Sequence, residues 1–232
     1  MSSTLRRAAR REGDFYATPP WAVHQLIDHY PAVLEGRTLD AGCGSGAIMR
    51  VLADRGANVC GIDNDPDRAA TAKAEGFLAV AGDFLTAPLQ EDILDGVIAN
   101  PPYRDAVPFI ERALGIAERV TFLLRLNFLG SSRSRLHLLR ESGLARVDVL
   151  SKRPSFVAVG SCRVCNETWW WPATASGEEV RHPASLVACP MVGRAGGSKE
   201  YRVTRTDSCD YAWFTWERGS TESLLTVFPL PT

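Results

Sequence analysis

Four consecutive residues, Asn100-Pro101-Pro102-Tyr103, bring an amide, a carbonyl and a phenol to the end of an apolar run at 93–99. Neither proline has an N–H, and each fixes its own φ. The first also biases Asn100 toward extended backbone. A strand cannot continue through such a sequence, so the chain must leave the sheet there in a stiff turn. The groups gathered at that turn suit a planar ligand bearing an NH2. The alternative is an ordinary proline-rich loop after a strand, and the four residues alone do not decide between them.

A second set of residues points to a different ligand. Asp40-Ala41-Gly42-Cys43-Gly44-Ser45-Gly46 places three glycines at alternate positions between a short apolar stretch and a helical pattern. Glycines there permit tight turning and close approach of backbone to a ligand. The spacing is Gly-x-Gly-x-Gly, not the dinucleotide Gly-x-Gly-x-x-Gly. Asp63 ends the next strand pattern, 21 residues after Gly42, where a carboxylate can accept from ribose hydroxyls. Asp83 with Phe84 follows the third strand and could hold an adenine by its amino group and its face. No Lys/Ser phosphate cradle accompanies the glycines, which argues against a triphosphate. Acids beside the loop favour an ammonium or sulfonium centre. The expected ligand is a cationic cofactor carrying ribose and adenine; the alternative for Asp63 is a helix cap only. Cys43, inside the turn, reads as a small space-filler.

These residues need a sheet edge to bring them together. Apolar strand patterns occur at 36–41, 58–63, 77–80, 93–99, 119–126, 145–150 and 211–216, with helical spacing at 47–55, 66–75, 106–117 and 133–142. Thr18 is placed to cap a first helix that holds Pro19 and Pro20 in its first turn, and Asp65 to cap the helix at 66–75. Strands alternating with helices at this pace imply an α/β fold, a doubly wound, mostly parallel sheet of seven strands. In such a sheet ligands bind at the carboxyl edge, where strand order reverses. The pattern breaks over 157–208, which is rich in turn residues and reads as an excursion between the last two strands. The expected organisation is a basic arm at 1–13, a main domain at 14–156 and 209–232, and the insertion at 157–208.

Composition excludes several classes. Of 232 residues, 45% are apolar, and no run approaches the roughly 18 residues of a membrane span. The basic N-terminal stretch has no apolar segment after it, so it does not read as a secretory signal. Six cysteines without such a signal suggest a reducing compartment, and a cytoplasmic location is expected. Net charge is −1, so nothing global marks a nucleic-acid binder. The distribution is uneven, however. Residues 61–100 hold eight acids and two bases, whereas 119–153 hold eight bases and two acids. That asymmetry suggests two ligands, one cationic or hydroxyl-rich and one polyanionic; the alternative is solvated helix faces.

The glycine loop, Asp63, Asp83 and Asn100–Tyr103, in this order and spacing, resemble the class I S-adenosylmethionine-dependent methyltransferases. More narrowly they are similar to the amino-methylating branch that contains phage and bacterial adenine-N6 DNA methyltransferases. Residues 14–19 resemble that branch's N-terminal cofactor motif, and 150–156 and 210–216 its C-terminal segments. The resemblance implies S-adenosylmethionine held by Phe15, Tyr16, Thr18, Asp40, Gly42, Gly44, Gly46, Asp63, Asp83, Phe84 and Asn100. It implies a flipped-out adenine whose N6 hydrogens are accepted by the Asn100 side chain and the Pro101 carbonyl, with Pro102 stiffening the turn. Tyr103 and Phe156 would stack on the base, although Phe156 equally suits a core position beside Pro154. Arg133, Arg135, Lys152 and Arg153 would contact phosphates. DNA, double- or single-stranded, is the implied partner, with restriction-modification as a setting, no membrane, and a monomer compatible with all of this. RNA or protein-glutamine methylation, or a DNA-binding module without catalysis, are the rival readings.

The insertion departs from that pattern. Cys162-x-x-Cys165 has metal-knuckle spacing, and His182 and Cys189 are the nearest completing ligands for a structural zinc. The alternative is two free thiols in a loop. Trp169, Trp170 and Trp171 either form a small core or contact nucleic acid.

Overall fold

A computed structural model describes residues 17–89, 93–130, 133–154, 157–162, 168–172, 201–205, 209–221 and 223–227. The α/β expectation holds. Strands β1 (Arg37–Ala41), β2 (Asn58–Asp63), β3 (Leu78–Ala81), β4 (Leu94–Ala99), β5 (Ala117–Arg125) and β6 (Leu144–Val149) alternate with helices α1 (Pro20–His29), α2 (Ala47–Asp54), α3 (Pro66–Ala74), α4 (Ala106–Leu114) and α5 (Arg133–Arg140). The insertion contributes β7 (Val157–Cys162), β8 (Thr168–Pro172) and β9 (Tyr201–Arg205), and the chain continues with β10 (Tyr211–Glu217) and β11 (Leu224–Val227).

The main sheet has eight strands in the order β11-β6-β10-β5-β4-β1-β2-β3, one more than the seven expected. The added edge strand, β11, runs parallel to β6. It is four residues long and leaves Leu224 and Leu225 exposed, so it has too little periodicity to stand out in the sequence. β10 lies antiparallel to both β5 and β6, and the other pairings are parallel. Strand order reverses between β1 and β4. Their carboxyl ends, carrying Asp40 and Asn100, therefore flank the crevice where ligands bind in such sheets.

β10 shows how both faces are covered. Its side chains alternate between two cores, as strand pleating requires. Tyr211 and Trp213 join Leu26, Val51, Ile98 and Leu123 on the α1 and α2 side. Ala212, Phe214 and Trp216 join Ile110, Phe122 and Leu138 on the α4 and α5 side. Each buried indole finds a backbone acceptor: Trp213 Nε1 donates to the Ala22 carbonyl at 3.0 Å, and Trp216 Nε1 to the Leu138 carbonyl at 2.7 Å. The tryptophans thus fasten α1 and α5 to opposite faces of one strand.

The insertion is more regular than its composition suggests. β7, β8 and β9 form a separate antiparallel sheet in the order β8-β7-β9. Alternation in Tyr201-Arg202-Val203-Thr204-Arg205 is a strand pattern, masked in the sequence by the turn-rich residues around it.

Candidate ligand and acceptor site at the carboxyl edge of the sheet

The glycine loop is built by the backbone. Gly42, Gly44 and Gly46 all have positive φ, at 82°, 55° and 89°, a region that strains residues with a Cβ. Gly42 and Cys43 donate to the Ile62 carbonyl at 2.8 and 3.0 Å, tying the loop to the end of β2. Asp63 completes the arrangement. Its Oδ2 accepts from the Gly44 N–H at 2.7 Å and its Oδ1 from the Asp65 N–H at 2.9 Å. Asp63 therefore shapes the loop as well as facing the cavity, and each oxygen keeps a lone pair for a hydroxyl. Its neighbour Asp65 caps α3 as expected, accepting from Asp67 and Arg68 N–H groups at 3.0 and 3.3 Å. Under the loop, Gly61 leaves no room for a side chain: a Cβ there would lie 2.7 Å from Cys43 Sγ and from Met49 Sδ.

Asp40 stands apart from these satisfied groups. It is 1% exposed, and among the described residues neither carboxylate oxygen has a hydrogen-bond partner. Burial, with the neighbouring charge of Asp63, pushes its carboxyl well above the usual range. A buried acid left without donors is costly, and a cation placed beside it removes that cost. Burial first, then the charges of Asp40 and Asp63, push the Cys43 thiol upward as well. Cys43 is 5% exposed and packs inside the turn, the position a small space-filler would take.

Members of both sets, Asp40, Gly42 and Asp63 from one and Asn100 and Pro102 from the other, line one cavity of about 250 Å³, whereas Gly44, Gly46, Pro101 and Tyr103 lie outside its lining. Its lining includes Thr18, Asp40, Gly42, Asp63, Asp83, Phe84 and Asn100. Asp83 is exposed and its Oδ1 accepts from the Leu85 N–H at 2.9 Å. Phe84 reaches the cavity from within the core: it is 3% exposed, and its ring packs against Phe109 at 5.1 Å between centroids. Arg68 and Asp105 also line the cavity, and the sequence reading did not single them out. Their signal was only their place, one turn into α3 and immediately before α4.

Asn100 sits half-buried at the rim. Its Nδ2 donates to Thr18 Oγ1 at 3.1 Å, and its Oδ1 accepts from the Tyr103 hydroxyl at 3.2 Å. This corrects the capping role expected of Thr18. Pro19 is the N-cap residue of α1 and no side chain caps the helix; the Thr18 hydroxyl is turned instead to the Asn100 amide. Pro101 is buried and Pro102 exposed, and the Pro102 carbonyl accepts from Asp105 N–H at 2.8 Å, which closes the stiff turn. Tyr103 has a neighbour the sequence reading missed. The Arg125 guanidinium lies over its ring, 4.7 Å from the centroid, and Arg125 Nε donates to the Tyr211 hydroxyl at 3.2 Å.

Three of the four expected phosphate contacts have other attachments. Arg153 forms an ion pair with Asp210 at 2.7 Å, Lys152 Nζ lies 4.7 Å over the Trp21 ring, and Arg135 donates to the Asn127 carbonyl at 3.2 Å. Arg133 opens α5. Elsewhere in the basic stretch, Arg146 pairs with Asp148, which is fully buried, so that part of the charge belongs to the core. Phe15, Tyr16, Phe156, Cys165, His182 and Cys189 lie outside the described residues, and only the backbone of Cys162 is described. Among the described residues no three His, Cys, Asp or Glu side chains cluster as metal ligands would.

Residues 39–121 match the sequence profile of a family described as a methyltransferase domain. An 80-residue stretch is 34% identical to ribosomal RNA small subunit methyltransferase C of Erwinia tasmaniensis, covering 32% of this chain and 23% of that protein. The chain thus spans less than a quarter of that relative's length. Among solved structures, one described as a modification subunit of a type I restriction enzyme from Vibrio vulnificus aligns at a TM-score of 0.52. Its identity is 13%, over 96% of this chain and 49% of that one. A Thermoplasma acidophilum protein aligns at a TM-score of 0.48 with 18% identity over 86% of each chain. The fold is that of the class I S-adenosylmethionine-dependent methyltransferases.

Proposed function

We propose that this chain, from a methyltransferase fold, transfers the methyl group of S-adenosylmethionine to the exocyclic N6 amino group of adenine in DNA. The observation that carries the reading is the pairing, across one cavity, of a carboxylate buried without donors among the described residues, Asp40, and an oriented amide acceptor, Asn100. S-adenosylmethionine supplies an electrophilic methyl on a positively charged sulfur. The residues present fit it: Asp40 suits a cationic centre, the Gly42–Gly46 backbone permits close approach, and Asp63 and Asp83 retain acceptor capacity for hydroxyl and amino hydrogens.

The acceptor amine needs help because its lone pair is delocalised into the ring. Asn100 Oδ1 accepts from the Tyr103 hydroxyl and, as an amide oxygen with two acceptor sites, is the group that meets one N6 hydrogen in this reading, with the Pro101 carbonyl as the second acceptor. Two fixed acceptors draw the nitrogen toward a tetrahedral donor and stabilise the positive charge that grows on it, without reorganising during the reaction. Thr18 keeps the amide turned the right way. Positioning supplies the remaining assistance, and no strong base is required before transfer because the product ammonium is itself acidic.

DNA is the leading acceptor because the branch resembled at 14–19, 100–103, 150–156 and 210–216 methylates DNA adenine. RNA is the second reading, favoured by the 34% identity to a ribosomal RNA methyltransferase over 80 residues. The test is transfer of labelled methyl to DNA, RNA and protein at low salt, followed by digestion of labelled nucleic acid to nucleosides. Label in N6-methyladenine from DNA is expected; label in protein alone, or in a different base, overturns the proposal.

A further inference from the structure

Arg125 differs from Arg146 and Arg153, the ion-paired arginines of its region. It closes β5 at the carboxyl edge of the sheet, one strand from Asn100. It is half-buried, and among the described residues no carboxylate lies within ion-pair distance of it, whereas Arg146 and Arg153 each have one at 2.9 and 2.7 Å. Its neighbours are two phenols: the Tyr103 ring at 4.7 Å and the Tyr211 hydroxyl at 3.2 Å from Nε. Those two rings lie 5.6 Å apart between centroids. Neither terminal guanidinium nitrogen has a hydrogen bond among the described residues. A guanidinium is always charged and offers its donors as a planar fork, the shape that matches a phosphate. Neutral phenols orient such a group but do not neutralise it.

We infer that Arg125 binds the phosphate of the nucleotide whose base enters the acceptor site. This deepens the nucleic-acid reading and rests on it. Tyr211 holds Nε, which leaves the terminal nitrogens to form the fork. The Tyr103 ring carries the guanidinium on one side while its hydroxyl reaches Asn100, so phosphate binding and acceptor geometry meet in one side chain. The arrangement favours a polyanion over a protein glutamine, whose backbone has no charge to meet the arginine.

The test compares the full-length wild type with Arg125→Gln and Arg125→Lys, using DNA and RNA oligonucleotides of the same sequence across a salt series. For Arg125→Gln, KM for the oligonucleotide should rise about tenfold while kcat at saturation falls at most about threefold. The slope of log kcat/KM against log salt should become shallower by about one. Arg125→Lys should restore the slope, since it keeps the charge, but only part of the affinity, since it lacks the fork. A loss confined to kcat, with the salt slope unchanged, would assign Arg125 to support of Tyr103 alone and overturn the inference. Should Arg125→Gln fail to fold, judged by its thermal melt, the lysine variant still decides. Its salt slope must match wild type while KM rises; unchanged KM overturns the inference. Wild-type protein that binds S-adenosylmethionine yet labels neither oligonucleotide would instead remove the underlying reading.

Discussion

The two halves of the carboxyl edge are built by different means. On the side of β1, β2 and β3, the site is mostly backbone: a left-handed glycine loop, carbonyls at the end of β2, and carboxylates holding N–H groups. On the side of β5 and β10, it is side chains resting on side chains, Arg125 on Tyr103 and Tyr211 beside both. Backbone construction suits a ligand that never varies. Side-chain construction suits an acceptor that must be admitted, gripped and released. Asn100, at the end of the intervening β4, belongs to both halves through Thr18 on one side and Tyr103 on the other. Substitutions that damage one half should therefore largely spare the other.

The largest effect is expected at the junction. Asn100→Ala removes the amide oxygen and should lower kcat by at least about 10² to 10³-fold, the usual loss when one preorganised polar partner is removed. Cofactor affinity, measured by calorimetry, should change only a few-fold. Retained turnover would remove Asn100 from the acceptor role.

Asp40→Asn should do the reverse, weakening cofactor binding by about tenfold or more while leaving the acceptor half intact. It also has a pH signature. Burial raises the folded-state pKa of Asp40 above its unfolded value. Its contribution to stability is therefore fully present below the unfolded pKa and is lost as pH rises through the folded one. Ligand-free wild type should lose melting temperature across that range relative to Asp40→Asn, which carries no charge there. A cationic cofactor binds the ionised form, so wild-type affinity should rise over the same range and the variant's should stay flat. Parallel melting curves at all pH values would contradict this account.

Much of the cofactor half was legible in the sequence because its rules are local. Glycines at alternate positions after a short strand, and acids at strand ends, announce a backbone-built site before any tertiary contact is known. Asn100–Tyr103 was legible for the same reason, since two prolines force the turn. Arg125 and Tyr211 were not, because 86 residues separate them and only the antiparallel insertion of β10 between β5 and β6 brings them together. Thr18 was misjudged for a related reason. Its position before two prolines fits a helix cap, but the partner that claims its hydroxyl is 82 residues away. The charge asymmetry was half informative: it marked a basic region, yet Arg146 in that region serves the buried Asp148, which no count of charges can reveal.

Thr18→Val tests how firmly the junction is held. It keeps the shape of the 4%-exposed side chain and removes the Oγ1 acceptor that Asn100 Nδ2 meets at 3.1 Å. A kcat loss of about five- to tenfold is expected, the worth of one neutral hydrogen bond, with Thr18→Ser restoring it. An unchanged kcat would mean that the turn alone orients the amide.

The smallest effect is expected from Tyr103→Phe, because its two consequences oppose each other. Losing the hydroxyl frees a lone pair on Asn100 Oδ1 for the incoming amine, which helps. The same loss removes one of the hydrogen bonds that orient the amide, which hurts. The ring and its contact with Arg125 survive. The net change in kcat should stay within about threefold, whereas Tyr103→Ala, which also removes the platform under Arg125, should cost substantially more and raise the oligonucleotide KM. If phenylalanine proved as damaging as alanine, the hydroxyl would be the working part of Tyr103. The acceptor half would then depend, like the cofactor half, on hydrogen bonds more than on stacked rings.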